Sequence, residues 1–183
     1  MSTTQTSEKS VTYAIDGVHS HVEFSVRHLM ISKVRGRFGT FEGTIETAPG
    51  SDLPQNVNVT IDASSVDTRE PQRDAHLASA DFLDVEQYPQ LTFVSTHTEG
   101  TPDDFRVHGK LTLHGTTRDV VLHGEFEGRG ADPWGGQRIG YTAKTTISRK
   151  EFGLVWNQAL ETGGVAVGDE IKIELNVEAV QKQ

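Results

Sequence analysis

Ile171-Lys172-Ile173-Glu174-Leu175-Asn176-Val177-Glu178 changes from apolar to polar at every step. Successive side chains of a β-strand point to opposite faces, so this stretch reads as a strand with one dry face and one wet face. The same period recurs upstream. Val22, Phe24 and Val26 alternate with Glu23, Ser25 and Arg27, and Val57, Val59 and Ile61 with Asn58 and Thr60. Phe105, Val107, Leu111 and Leu113 share one parity, as do Val120, Leu122 and Phe126, and then Ile139, Tyr141, Ala143, Thr145 and Ile147. One-sided burial of this kind belongs to antiparallel sheets.

About eight long strands are expected, over residues 21–29, 34–47, 56–63, 90–99, 104–114, 117–128, 137–149 and 169–180, after a short one at 11–15. The 34–47 run changes phase. Val34, Gly36 and Phe38 share one parity and Phe41, Gly43 and Ile45 the other, which predicts a bulge near Gly39 and Thr40. Gly115-Thr116 suits a two-residue type II′ turn. That turn would set Arg106 against Glu125, His108 against His123, Thr112 against Asp119, Phe105 against Phe126 and Leu111 against Val120. Two segments break the strand pattern. Glu70–Ser79, with Pro71 in its first turn, reads as a short helix. Lys150–Gly164, with Phe152, Leu154, Val155, Trp156 and Leu160, reads as a loop that caps or gates a barrel end. The expected fold class is all-β, an eight-stranded antiparallel barrel with a short helix and a capping loop, closed so that no strand edge is exposed. A sandwich is the alternative.

The length of 183 residues fits one domain over 11–183, behind a polar tail at 1–10 expected to be disordered. The net charge is −9 with no basic block, which gives no electrostatic reason to hold nucleic acid or an anionic membrane surface. The absence of cysteine removes disulfides, thiolate metal sites and a thiol nucleophile. No stretch approaches the ~20 apolar residues of a membrane span, so no stable membrane insertion is expected. Met1–Ser10 lacks an apolar signal core, and the expected location is cytoplasmic.

Signatures of chemistry are sparse. There is no GxSxG, P-loop, HExxH or strand-linked GxGxxG. His19 and His21 share a strand parity and His28 has the other, so the three do not converge on one metal. His108 and His123 read as a wet cross-strand pair, short of the three or four ligands of a metal site. Asp67, Glu70, Arg73, Asp74 and His76 form the densest polar cluster, suited to capping the helix or receiving a polar head group. Arg69, Arg149 and Lys150 are further cationic candidates for a phosphate head. No catalytic residue, metal site or cofactor is expected.

An ordered series of short motifs resembles the YceI-like, or polyisoprenoid-binding, family over Tyr13 to Val180. It comprises Asp16-Gly17-Val18-His19-Ser20 leading into Val22, Phe24, Val26 and His28, then Gly36, Phe38, Phe41 and Gly43. Asp67-Thr68, Arg73-Asp74-Ala75-His76-Leu77, Asp81-Phe82-Leu83-Asp84 and Tyr88–Phe93 follow. Gly109–Thr112, Gly115-Thr116-Thr117, Ser148–Gly153 and Val167-Gly168-Asp169 complete it. The resemblance implies a lipocalin-like barrel with an internal tunnel, and an isoprenoid quinone or polyprenyl phosphate as its ligand. The energetics agree. At ~0.8 kcal/mol per buried carbon group, three isoprene units gross ~12 kcal/mol, against ~4–15 kcal/mol for association.

The parity pattern supplies the inward candidates for such a ligand: Phe24, Val26, Val59, Ile61, Phe93, Val107, Leu111, Leu122, Tyr141, Ile147, Ile173 and Leu175. Phe82 and Trp156 are candidate entrance residues, and Arg73 and His76 candidate head-group contacts. The expected role is a non-enzymatic binder or carrier, with a homodimer possible. Two alternatives are a filled barrel acting through its surface in stress response or assembly, and a metal-assisted enzyme on a lipid-like substrate.

Overall fold

A computed structural model describes residues 9–161 and 163–183; the tail expected over 1–10 therefore falls, for residues 1–8, outside the described residues. The strands are β1 (Val11–Ile15), β2 (His21–His28), β3 (Ser32–Phe38), β4 (Phe41–Thr47), β5 (Pro54–Asp62), β6 (Val66–Asp67), β7 (Gln90–Thr101), β8 (Asp104–Leu113), β9 (Thr116–Ala131), β10 (Gln137–Ser148) and β11 (Val167–Gln181). One helix, α1, spans Pro71–Ala78. All strand pairs are antiparallel, and the order β1-β4-β5-β7-β8-β9-β10-β11 closes into an eight-stranded barrel through β1 against β11. The expected barrel class is thus the observed one.

One edge of β11 pairs with β10, and the other serves two partners. Ala179–Gln181 pair with β1, and Ile171–Asn176 pair with β2. β2 carries β3, and β3 carries β6, so a flap of three strands flares from the ring. The single bulged strand expected over 34–47 is therefore two strands with different partners, β3 on β2 and β4 on β1. Gly39 and Thr40 form a corner whose backbone is held from the next crossing: Gly39 N–H donates to the Ser65 carbonyl at 3.1 Å and Asp62 N–H to the Thr40 carbonyl at 2.9 Å. The phase change has this cause. Crossing the corner swaps parity, and both Phe38 and Phe41 still face inward.

The β8–β9 hairpin corrects the expected register. Its turn is His114-Gly115, with φ of 53° and 70°, the two left-handed residues of a type I′ turn. Arg106 faces His123, Lys110 faces Asp119, Leu111 faces Arg118, Thr112 faces Thr117 and Phe105 faces Gly124. The expected pairs were displaced by two residues, which preserves parity and leaves every inward residue inward. His tolerates the left-handed region better than most residues, and His114 is also anchored by Tyr88, whose ring centroid lies 4.9 Å away.

The helix falls where expected. Glu70 is the N-cap, its carboxylate accepting from the Gln72 and Arg73 amides, and Pro71 fills the first turn. The two barrel ends differ. At the end formed by the β7–β8 and β9–β10 turns, Tyr13, Phe105, Ile139 and Ala179 are buried and close the base. At the other end gather α1, the β2–β3 turn and residues 149–161 and 163–166.

Candidate functional site

Between base and rim lies a cavity of about 500 Å³ whose wall is almost wholly apolar. Every inward candidate from the sequence borders it: Phe24, Val26, Val59, Ile61, Phe93, Val107, Leu111, Leu122, Tyr141, Ile147, Ile173 and Leu175. Glycines on the inner face leave room for large rings against the barrel wall. Phe24 lies over Gly36, Phe105 over Gly124 and Phe93 over Gly109, so large rings lie against the wall instead of crossing the lumen. Tyr141 marks the deep end. Its hydroxyl donates to the Asp52 carbonyl at 2.7 Å, and burial raises its pKa, so it stays a neutral donor.

The rim holds an aromatic cluster. The His76 ring centroid is 5.0 Å from that of Phe82 and 4.7 Å from that of Trp156, both edge-on, and Phe82 is 5.3 Å from Trp156. All three border the cavity. α1 supplies His76, the turn after it supplies Phe82, and the loop after β10 supplies Trp156. His76 Nε2 lies 2.9 Å from Asp81 Oδ2, which fixes the ring's orientation.

Arg73 also borders the cavity. Its Nε donates to Thr68 Oγ1 at 2.7 Å and its Nη2 to the Thr68 carbonyl at 2.8 Å. Thr68 N–H in turn donates to Asp74 at 2.8 Å. The dense polar cluster thus caps and braces α1, while Nη1 of Arg73 has no protein partner among the described residues.

Arg149 is committed elsewhere. The side chain is buried, and its donors go to the carbonyls of Gly168 at 2.8 Å, Leu154 at 2.7 Å, Trp156 at 2.9 Å and Val167 at 3.3 Å. It pins both ends of the capping loop, and burial lowers its pKa. Phe152 and Leu154, buried beside it, plug the rim under that loop. Lys150 lies outside, 3.4 Å from Asp169. The sequence marked Arg149 as a head-group cation, but a buried guanidinium must satisfy its donors, and backbone carbonyls of the loop do so.

Sequence reasoning missed several rim residues: Arg27, His28 and Leu29 border the cavity at the end of β2, and Gln158, Ala166 and Val167 border it from the capping loop and the start of β11. Arg27 has outward parity, and it reaches the edge where the β11–β2 pairing is irregular, beside Gly168.

The histidine pair is corrected too. His108 faces Val121 on β9, not His123. Its neighbour is His97 on β7, stacked at 4.1 Å, with Glu99 Oε1 2.8 Å from its Nε2. His19 sits in the turn before β2 and groups with Asp16 and Glu178. Arg138 already occupies that group, donating to Asp16 at 2.8 Å, Glu178 at 3.1 Å and Asp132 at 3.0 Å. The guanidinium balances the charge of these carboxylates.

Comparison with known proteins agrees with this architecture. A family described as the YceI-like domain matches residues 13–179. The chain is 40% identical over 173 residues to Protein YceI of Escherichia coli O17:K52:H18, covering 93% of this chain and 87% of that one. A UPF0312 protein of Vibrio cholerae is 39% identical over the same shares. Among solved structures, the Campylobacter jejuni YCEI protein superposes with a TM-score of 0.74 at 31% identity, over 86% of this chain and 90% of that one. A polyisoprenoid binding domain from Saccharophagus degradans shares the fold, with a TM-score of 0.68 at 15% identity over 93% of this chain and 98% of that one.

Proposed function

The chain belongs to the YceI-like family, and from that premise we propose that its cavity holds the chain of a long isoprenoid lipid, as a binder or carrier that performs no reaction on it. The cavity itself carries this reading. At ~24 cal/mol per Å³, an empty apolar space of about 500 Å³ forfeits up to ~12 kcal/mol of packing. That matches the whole net stability of an ordinary domain, ~5–15 kcal/mol. Water recovers little of it, because an apolar wall offers no hydrogen bonds. A flexible hydrocarbon chain recovers most of it. The Saccharophagus degradans domain of the same fold is named for this ligand class. The cavity also speaks against a filled barrel acting through its surface alone.

The lining side chains grip the tail by dispersion. Phe82, His76 and Trp156 close around the tail where it leaves the barrel, and the uncommitted Nη1 of Arg73 meets a quinone carbonyl or a phosphate there. Trp134→Phe leaves Trp156 as the one remaining tryptophan, at the entrance. Titration with an isoprenoid quinone should quench its fluorescence saturably, at about one ligand per chain. In the same assay Arg73→Ala should weaken a polyprenyl phosphate about tenfold, the strength of one charge-assisted hydrogen bond. Absence of saturable quenching by either lipid contradicts the proposal. Unchanged phosphate affinity in Arg73→Ala removes only the head-group role.

A further inference from the structure

The β2–β3 turn puts Leu29, Met30 and Ile31 at the rim, and Met30 and Ile31 are 50% and 82% exposed. Val155 of the capping loop, 65% exposed, is a fourth apolar side chain at that end. The turn and the loop are tied together: Leu29 N–H donates to the Ala166 carbonyl at 2.9 Å, and Met30 packs against Gly164. Leu29 and Met30 both hold left-handed backbone, with φ of 53° and 62°. Bulky residues are disfavoured there, and Asn-Gly would satisfy the turn without strain. The tip therefore keeps apolar side chains in water at a conformational cost.

Charge distribution adds a second, independent observation. The chain carries −9 overall, yet no Asp or Glu occurs between Glu23 and Glu42, while Arg27, Lys33, Arg35 and Arg37 fall within that span. Arg27 and Lys33 are register partners flanking the tip, and Arg35 follows one step back, opposite Ser25. Arg37 pairs with Asp67 at 3.4 Å, whereas Arg27, Lys33 and Arg35 have no carboxylate partner among the described residues. Whole-chain charge thus hides a local cationic face, and the expectation that nothing favours an anionic surface does not hold for this hairpin.

We infer that the β2–β3 tip docks the barrel mouth onto an anionic phospholipid bilayer. Met30 and Ile31, with Val155 beside them, dip into the headgroup–acyl boundary, and Arg27, Lys33 and Arg35 lie against lipid phosphates. Leu29 and Arg27 also border the cavity, so the docked surface is continuous with its opening. An isoprenoid chain then moves between bilayer and barrel without crossing water. This inference rests on the isoprenoid-binding reading and adds the partner from which the lipid is exchanged. It needs no spanning segment, and the docking is reversible.

The full chain would be co-sedimented with vesicles of phosphatidylcholine alone and of phosphatidylcholine with phosphatidylglycerol at roughly three to one. Binding to the anionic vesicles that falls with added salt is expected, and Lys33→Glu with Arg35→Glu should weaken it about tenfold or more. Met30→Ser with Ile31→Ser should slow transfer of an isoprenoid quinone from those vesicles, while quenching of Trp156 by quinone supplied in detergent stays unchanged. None of these four residues lines the cavity. Quinone uptake from detergent with no anionic-vesicle binding overturns the docking and leaves the carrier reading standing. No uptake in any form overturns the carrier reading itself. If Met30→Ser with Ile31→Ser changes only the oligomeric state, the tip contacts another protein copy and the docking is overturned.

Discussion

Gly109 lies against the Phe93 ring and the β7 backbone, and a methyl group on its Cα would overlap that ring and come within 2.7 Å of the Val94 carbonyl oxygen. Gly109→Ala should cost about 1–3 kcal/mol in chemical denaturation, because the Val94 carbonyl is fixed in the β7 backbone and the Phe93 ring must leave its place on the wall for the lumen. Gly130→Ala, which meets nothing within 4 Å, is the control and should stay within about 0.5 kcal/mol. Arg149 offers a sharper test. Arg149→Met removes the side-chain donor from the carbonyls of Leu154, Trp156 and Gly168 together, leaves Val167 to Asn157 alone, and should destabilise by about 3 kcal/mol or more. Hydrogen exchange should rise first over residues 153–168. Sequence makes half of this visible. Parity shows that Val107, Leu111 and Ile173 point inward, because strand period fixes direction. The role of Arg149 is invisible to parity, because its partners are backbone groups of a loop that no periodic pattern describes. His97 was passed over for the same kind of reason: its partnership with His108 depends on an irregularity between Ser95 and His97 that shifts the β7–β8 register.

Among the elements, the joints were harder to read than the strands. Alternation locates β5, β7–β10 and β11 closely, since each is long and one-sided. It does not reveal that β11 divides between β1 and β2, or that Gly39-Thr40 is a corner between sheets, because both depend on which strands become neighbours. The β8–β9 turn was misplaced by one residue, and the pairing with it by two, because Gly115 is compatible with either turn and the left-handed His114 decides between them. One joint has a pH signature. Arg138 gathers Asp16 from the β1–β2 connection, Asp132 from the β9–β10 turn and Glu178 from β11. Hydrogen bonds from Arg138, and then His19, hold the Asp16 carboxyl well below the usual range, and the Gly136 amide with Arg138 lowers Asp132. A depressed folded pKa means that the unfolded chain binds more protons in acid. This joint therefore contributes its full stability above about pH 4, the ordinary carboxylate value, and loses it as pH falls further. Asp16→Asn should lower stability at pH 7 and flatten the acid limb of the stability–pH curve. Parallel wild-type and variant curves would show that the joint is not coupled to folding.

The whole molecule is a barrel sealed at its base by Tyr13, Phe105, Ile139 and Ala179 and open at a rim of aromatic and apolar side chains. Binding a lipid to the folded state alone should raise stability by about 2.7 kcal/mol at a hundredfold excess over Kd. For a domain of this size that is a Tm rise of roughly 5–10 °C on returning an isoprenoid to delipidated protein. Leu122→Trp, which fills the cavity from its wall, should abolish that rise. The central claim is tested most directly by native mass spectrometry of the purified protein, followed by organic extraction and lipid identification. One isoprenoid quinone or polyprenyl lipid per chain is the expected result and would identify the head group. Protein at its bare polypeptide mass, which also takes up no added isoprenoid, would contradict the claim.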